Sequence, residues 1–316
     1  MPGRRTDHEL LTAAAPMSRL PSGAPLGARL QRLYEDYNRE DAAADPIQIV
    51  RRYRTREDQE VVGFCAAALA FGRVASVLNT VETLARVLGP APAQYVRRFD
   101  PAAPHPELRA MVHRWTRGVD IVALLWLLHQ MIERSGSIEG FFLEDYDESA
   151  EDIGAALDSF SRRAMALDLR GAYGRRVPAR GGVCYFFPRP SAGSGCKRLN
   201  LFMRWMVRRD EVDLGAWPSV SKAKLIVPLD THVIRLGQCL QLTRYRSPGW
   251  RMAADITASL RAIDPVDPVR FDFSLCHVGM MNACGFGRRQ GDAQCPLKGI
   301  CRPRGRAGAA APRLRR

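Results

Sequence analysis

The sequence predicts an all-α protein, and three observations carry that expectation. Apolar residues recur at helical spacing along most of the chain. Proline- and glycine-rich breaks separate the recurring segments. No stretch alternates apolar and polar residues long enough to build a sheet. There is no internal repeat.

The elements follow in chain order. Residues 1–25 hold arginines and a weak apolar patch, too short and too polar for a secretory signal. They read as a disordered basic tail, with Met17 an alternative start, and the folded body is expected over 26–302. Residues 61–70 are almost wholly apolar and predict a buried helix. Val77, Leu78, Val81, Leu84, Ala85 and Leu88 keep helical spacing until Gly89-Pro90 ends the run. Residues 121–132 predict another buried helix, far too short and too interrupted (His129, Gln130) to span a bilayer. Ile153, Ala156, Leu157, Phe160 and Ala164 mark the next. Further helices are expected at 199–207, 233–242, 252–263 and 271–283. Breaks fall at 102–106, 175–182 and 188–195. Residues 303–316 are low-complexity and basic, and read as a second disordered tail.

Composition narrows the function classes. The 316-residue chain carries a formal net charge of +14 and no membrane signature, a balance that suits contact with nucleic acid. Without an export signal the expected compartment is the cytoplasm, associated with the nucleoid. The eight cysteines are then core thiols or metal ligands rather than a disulfide framework. Only four of the 47 lysine and arginine residues are lysine: Lys197, Lys222, Lys224 and Lys298. Where arginine is the default cation, a retained lysine suggests a need for an amine, because arginine cannot shed its proton to act as a nucleophile.

Two segments carry candidate chemistry. In the first, a small turn of Gly193, Ser194 and Gly195 runs into an amphipathic helix that starts near Lys197. Glycines let such a turn leave amide N–H groups open, and the helix start adds more, so the corner can hold a phosphate. It also reads as an ordinary interhelical turn. In the second, Asp230 follows Pro228 and precedes a helical run. Aspartate is a preferred N-cap, and a carboxylate held at a helix start can also face a cleft.

Taken together, these segments resemble the helix-hairpin-helix DNA glycosylase superfamily. Gly193-Ser194-Gly195-Cys196-Lys197, with Asn200 beyond, is similar to the hairpin of endonuclease III, and Asp230-Thr231-His232-Val233 to its Asp-Thr-His block. The Lys-to-Asp gap is lengthened by residues 208–224, which looks like the archaeal 8-oxoguanine glycosylase branch. The hairpin's leading leucine is replaced by Pro190 and Ser191. The resemblance implies a two-lobed helical fold with a hairpin near 190–207 beside an interlobe cleft. It implies Lys197 as nucleophile and Asp230 as its partner, with Asn200 and His232 structural beside them. His232 would make a hydrogen bond behind the site. The substrate would be double-stranded DNA carrying a damaged base, an oxidised purine such as 8-oxoguanine, bound by a monomer.

The chemistry suits these residue types. A base must be flipped from the stack before it can be excised. Asp230 would stabilise positive charge developing on the sugar, and neutral Lys197 would attack C1′ to form a Schiff base that permits strand cleavage. Gly193, Ser194, Gly195, Arg198 and Arg73 are the expected DNA contacts. Among Trp205, Trp217, Trp250, Tyr185, Phe186 and Phe187, Trp217 is the expected base-pocket aromatic. Cys276, Cys284, Cys295 and Cys301 are the candidate ligands of a [4Fe-4S] cluster. The pair Cys295 and Cys301 resembles the end of the endonuclease III cluster loop, but a second ligand is missing, and a metal-free loop stays open. Zinc fits less well, for want of paired CxxC units. Cys65, Cys184, Cys196 and Cys239 read as core thiols, Cys196 partly exposed. Rival functions are a non-catalytic helix-hairpin-helix DNA-binding protein and a structural iron–sulfur protein.

Overall fold

The computed structural model describes residues 24–40, 45–179, 181–280 and 295–301. Both expected tails lie outside these residues, apart from Ala24 and Pro25, and so does Cys284. The described chain is mostly helical, and the all-α expectation holds.

The helices are α1 (Leu26–Tyr37), α2 (Ile47–Val50), α3 (Arg56–Ala68), α4 (Val74–Leu88), α5 (Pro92–Arg97), α6 (Pro106–Ala110), α7 (Gly118–Ser135), α8 (Ile138–Leu143), α9 (Gly154–Met165), α10 (Arg170–Tyr173), α11 (Lys197–Val207), α12 (Thr231–Cys239), α13 (Trp250–Arg261) and α14 (Asp272–Met280). Each periodic segment of the sequence corresponds to one of them. The 12-residue α1 matches none of the expected segments, and the short helices α2, α5, α6, α8 and α10 span too few turns to show a period. One feature breaks the helical pattern. Val112–His113 (β1) and Thr116–Arg117 (β2) pair antiparallel, joined only by Arg114 and Trp115. No helix among the described residues is long and apolar enough to cross a membrane.

Two helices form the centre. In α7 every residue from Gly118 to Leu128 except Val119 and Trp126 is buried, and α5, α6, α8 and α10 pack around it. In α3 the run Val61 to Ala68 is buried, and its main neighbour is α11. The two helices approach closely because Gly63 carries no side chain: a Cβ there would meet Met206 at 2.9 Å. The start of α3 is set by Thr55, whose hydroxyl accepts from the Asp58 N–H at 3.2 Å. Asp58 in turn accepts from the Ala93 N–H at 2.9 Å, which ties the first turn of α5 to α3.

The segment before α11 falls in and between the breaks expected at 175–182 and 188–195. It holds two 3-10 turns, Gly182–Phe186 and Pro190–Ala192, rather than an α-helix. Pro188 and Pro190 supply no N–H groups, so a regular helix cannot form there. The turn at 193–195 therefore joins a short 3-10 turn to α11.

The insert at 208–224 packs inward, and this corrects the role expected for Trp217. Its side chain is fully buried. The indole N–H donates to Glu60 at 2.9 Å, and the ring meets Phe202 edge-on at 5.1 Å. Glu60 also accepts from the Ile138 N–H at 3.0 Å, and burial raises its pKa. Trp217 is an anchor in the core and cannot stack on a base. Trp217→Phe should therefore cost about 1–3 kcal/mol, because it leaves the buried Glu60 short of a donor. Trp217→Ala should cost about 3–5 kcal/mol. Urea denaturation of the two variants measures both.

Candidate active site

The site begins at the turn before α11. Gly193 has φ +80°, a left-handed conformation that side chains disfavour, and its carbonyl accepts from the Trp250 N–H at 3.2 Å. The turn is closed by its own amides. Gly193 N–H donates to Pro190 at 2.8 Å and Ser194 N–H to Arg189 at 3.3 Å. Of the three turn residues expected to offer free amides, only Gly195 keeps an N–H without a partner among the described residues. Asn200 holds the turn from inside: it is buried, and its amide donates to the Gly195 carbonyl at 3.2 Å. Cys196, at φ 45°, is buried rather than partly exposed, and burial pushes its thiol up to about 12.

From this start, Lys197, Leu201 and Arg204 fall at i, i+4 and i+7 on one stripe of α11. All three line a single cavity of about 430 Å³. Asp230 caps α12, its Oδ1 accepting from the Val233 N–H at 2.7 Å, and it lines the same cavity with Thr231 and His232. The stripe Asp272, Phe273, Cys276, His277 and Met280 of α14 forms another wall. Phe71, Gly72, Val74 and Val77, with Asp45 and Pro46, close the side towards α2 and α4. The amine and the carboxylate, 33 positions apart in sequence, are thus brought to one mostly apolar cavity of ligand-binding size.

The second oxygen of Asp230 is engaged by a thiol. The Cys276 S–H donates to Oδ2 at 3.1 Å. Burial, then the negative charge of Asp230, push the Cys276 pKa well up, against a smaller opposing effect of Lys197. Cys276 was expected as a cluster ligand, and this contact corrects that role: as a neutral thiol it hydrogen-bonds the carboxylate. Among the described residues no group of three or more His, Cys, Asp or Glu is placed to hold a metal. Cys295 is buried and Cys301 partly so, and Cys284 lies outside the described residues. The described donors do not assemble a cluster site, and no chemical step is drawn through one.

The floor of the cavity is charged. Arg204, 3% exposed, donates to Asp272 at 2.6 Å and to Asp213 at 3.1 Å. Burial raises the Asp272 pKa to about 6, Arg204 working against the shift. His277 is buried, with Nδ1 on the Phe273 carbonyl at 2.8 Å, and burial lowers its pKa. The ring is therefore neutral at pH 7.

Other expected contacts resolve differently. Arg198 turns inward, donating to the Ala68 carbonyl at 3.2 Å and to Tyr185, and lying 5.1 Å from the Phe71 ring centroid. Burial pulls its pKa down to about 10. It braces the site instead of reaching a phosphate. Arg73 is exposed at the N-terminus of α4, next to the cavity-lining Gly72. His232 lines the cavity, and its buried Nδ1 makes no hydrogen bond among the described residues. That corrects the hydrogen bond expected behind the site. Gly279 lets α14 press against this ring, since a Cβ there would meet Nδ1 at 2.6 Å. Trp205, Phe186 and Phe187 are core residues, and Tyr185 is exposed. Sequence reasoning missed Arg204, Asp272, His277 and Asp45. Arg204 was the one within reach, because it lies two helical turns from Lys197 on the same face.

Residues 45–281 match the family described as "Protein of unknown function (DUF2400)". The chain belongs to the DUF2400 family. No curated protein and no solved structure matches it. The family match spans both segments that resemble the helix-hairpin-helix glycosylases, and it overturns that assignment. A glycine-bearing turn into a helix and an aspartate N-cap arise for purely local reasons in many helical proteins, so short motifs of this kind do not define a family.

The raised Asp272 pKa gives a pH dependence. The native carboxyl holds its proton up to about pH 6, whereas the unfolded one releases it near 4. Between these values the native state binds more protons, so stability falls as pH rises from about 4 to about 6. Thermal unfolding across this range should show that decline, and Asp272→Asn should flatten it.

Proposed function

We propose that this cavity excises a damaged base from duplex DNA through an amine nucleophile, and that it works as a cleft between two helical lobes. The supporting observation is that Lys197 and Asp230 line one cavity. Aspartate and lysine in a mostly apolar enclosure interact more strongly than in water, which favours chemistry that builds and moves charge. The formal charge of +14 suits a polyanionic substrate. An oxidised purine remains the proposed base class.

The residues divide the work as follows. Asp230 is fixed by the Val233 N–H on one oxygen and by the Cys276 thiol on the other. Held in this way, it takes the proton from the Lys197 ammonium and passes it on to the departing base, so that its carboxylate is restored as positive charge develops on the sugar. The amine then forms the Nζ–C1′ bond while the bond from C1′ to the base breaks. The base leaves with the electron pair and takes up the proton that Asp230 received. Transfer of a proton from the new secondary ammonium to O4′ opens the ring to a protonated imine, and loss of a C2′ proton to the restored Asp230 carboxylate then breaks the 3′ carbon–oxygen bond, the phosphate leaving with the electron pair. A second depression, lined by Ser194, Gly195, Pro248 and Gly249, borders Lys197 at the start of α11. There the helix N-terminus offers a positive end for a flanking phosphate.

Borohydride trapping on duplex DNA bearing an abasic site tests this reading. The unchanged protein should yield a covalent adduct, and Lys197→Ala should yield none. An adduct that persists in Lys197→Ala removes the lysine from the mechanism. Asp230 can be tested apart from its capping role. Asparagine caps nearly as well as aspartate, so Asp230→Asn should fold within about 0.5 kcal/mol of the parent. Its turnover should nonetheless fall by about 10²–10⁴-fold. Asp230→Ala should lose the same activity and, in addition, about 1 kcal/mol of stability. Chemical denaturation and single-turnover kinetics separate the two effects.

A further inference from the structure

Beside the cavity lies an aromatic surface that the mechanism leaves unused. Trp115 is 50% exposed, Tyr185 56% and Val112 59%. The Trp115 ring stacks on Phe71, with centroids 4.7 Å apart and planes 24° from parallel, and Tyr185 meets it edge-on at 6.2 Å. Phe71 is itself a wall of the cavity that holds Lys197 and Asp230. The stack therefore runs from the cavity wall out to solvent.

The platform is held firmly in place. Trp115 sits in the two-residue connection between β1 and β2. On that hairpin, His113 is buried, with one ring nitrogen 2.9 Å from the Phe71 carbonyl and the other 3.0 Å from the Thr80 hydroxyl. At its far end the Arg117 N–H donates to Asp120 at 2.8 Å, and Asp120 also accepts from Tyr173 at 2.6 Å. Arg114 adopts φ 56°, a conformation usually left to glycine or asparagine in such a connection. This local strain is tolerated at the position that presents Trp115, and strained backbone of this kind gathers at binding sites.

Charge indicates the occupant. The Arg114 guanidinium lies 5.4 Å from the Trp115 ring centroid, and Arg73, Arg114 and Arg117 are all exposed. An aromatic face edged by arginines suits a ligand that combines flat rings with phosphates, as nucleic acid does. A purely apolar partner would have to desolvate these cations.

We propose that Trp115 is a stacking platform for a nucleobase of DNA adjacent to the one in the cavity, with Arg114 and Arg117 on the flanking phosphates. The inference rests on the DNA reading of the cavity. Extruding one base leaves its neighbour without a stacking partner, and an indole beside the cavity can take that place.

The test uses the full chain and duplex DNA with 2-aminopurine next to an abasic-site analogue. Binding of the unchanged protein should alter the 2-aminopurine emission. Trp115→Ala and Trp115→Leu should each weaken binding by about tenfold and abolish that change, whereas Trp115→Phe should keep most of both. Leucine separates ring stacking from apolar contact, and it provides a second variant should alanine disturb folding. If both variants bind as tightly as the parent with the emission change intact, while borohydride trapping through Lys197 still occurs, the platform is overturned and the excision reading survives. If the unchanged protein neither binds DNA nor traps, both fall. Trp115 emission that responds to anionic phospholipid vesicles but not to DNA also overturns the inference.

Discussion

Two buried arginines, Arg204 on α11 and Arg208 at its C-terminal cap, hold the site in shape. Arg204 pairs with Asp213 and Asp272, and Arg208 with Asp210, Asp213 and Asp267. The four carboxylates come from the insert, from the segment before the 3-10 turn Pro268–Phe271 and from the first residue of α14. The network thus joins α11, the insert and α14 at fixed orientation. It sets how α11 is rolled about its axis, and so which stripe faces the cavity. Such a network is weak evidence for stability, since burying charge costs most of what pairing returns. Removing one member is another matter, because an uncompensated buried charge costs about 3–5 kcal/mol. Burial raises the pKa of Asp213 and Asp272, outweighing the attraction of the arginines.

Asp230 shows how a helix cap and the proposed chemistry can fall on the same atoms. Its Oδ1 is used by the backbone of α12, as in any capped helix. That bond locks the side-chain rotamer and turns the other oxygen toward the Cys276 thiol in the cavity. A carboxylate so constrained loses little further freedom when a substrate arrives, which is the advantage of placing reactive groups on rigid elements. The close approach of Gly279 to His232 serves the same end, holding α14 against α12.

Trp217 and Trp115 illustrate how far residue type can be trusted. Both are aromatic residues in irregular segments of a basic chain. One is the fully buried donor to Glu60, 157 positions away in sequence, and the other is half exposed on a two-residue connection. Nothing local distinguishes them. The fate of Trp217 depends on the carboxylate waiting for its N–H. That of Trp115 depends on the seat provided by Phe71 and His113. The strands that present Trp115 are two residues long, too short for alternation to be seen.

Helical periodicity is a local property, written by spacing and by caps, and so the sequence alone determined the all-α class and the approximate bounds of the longer helices other than α1. It pointed to one amine and one carboxylate only through the resemblance of two short segments to helix-hairpin-helix glycosylases, an assignment the family match overturned. Tertiary packing decided the rest. It brought Lys197 and Asp230 to one cavity, turned Arg198 inward, gave Cys276 to Asp230 and buried Trp217 of the insert. Each of these outcomes depends on partners distant in the chain, whose approach is governed by close packing and by the pairing of buried polar groups, neither of which leaves a signature in the spacing of neighbouring residues.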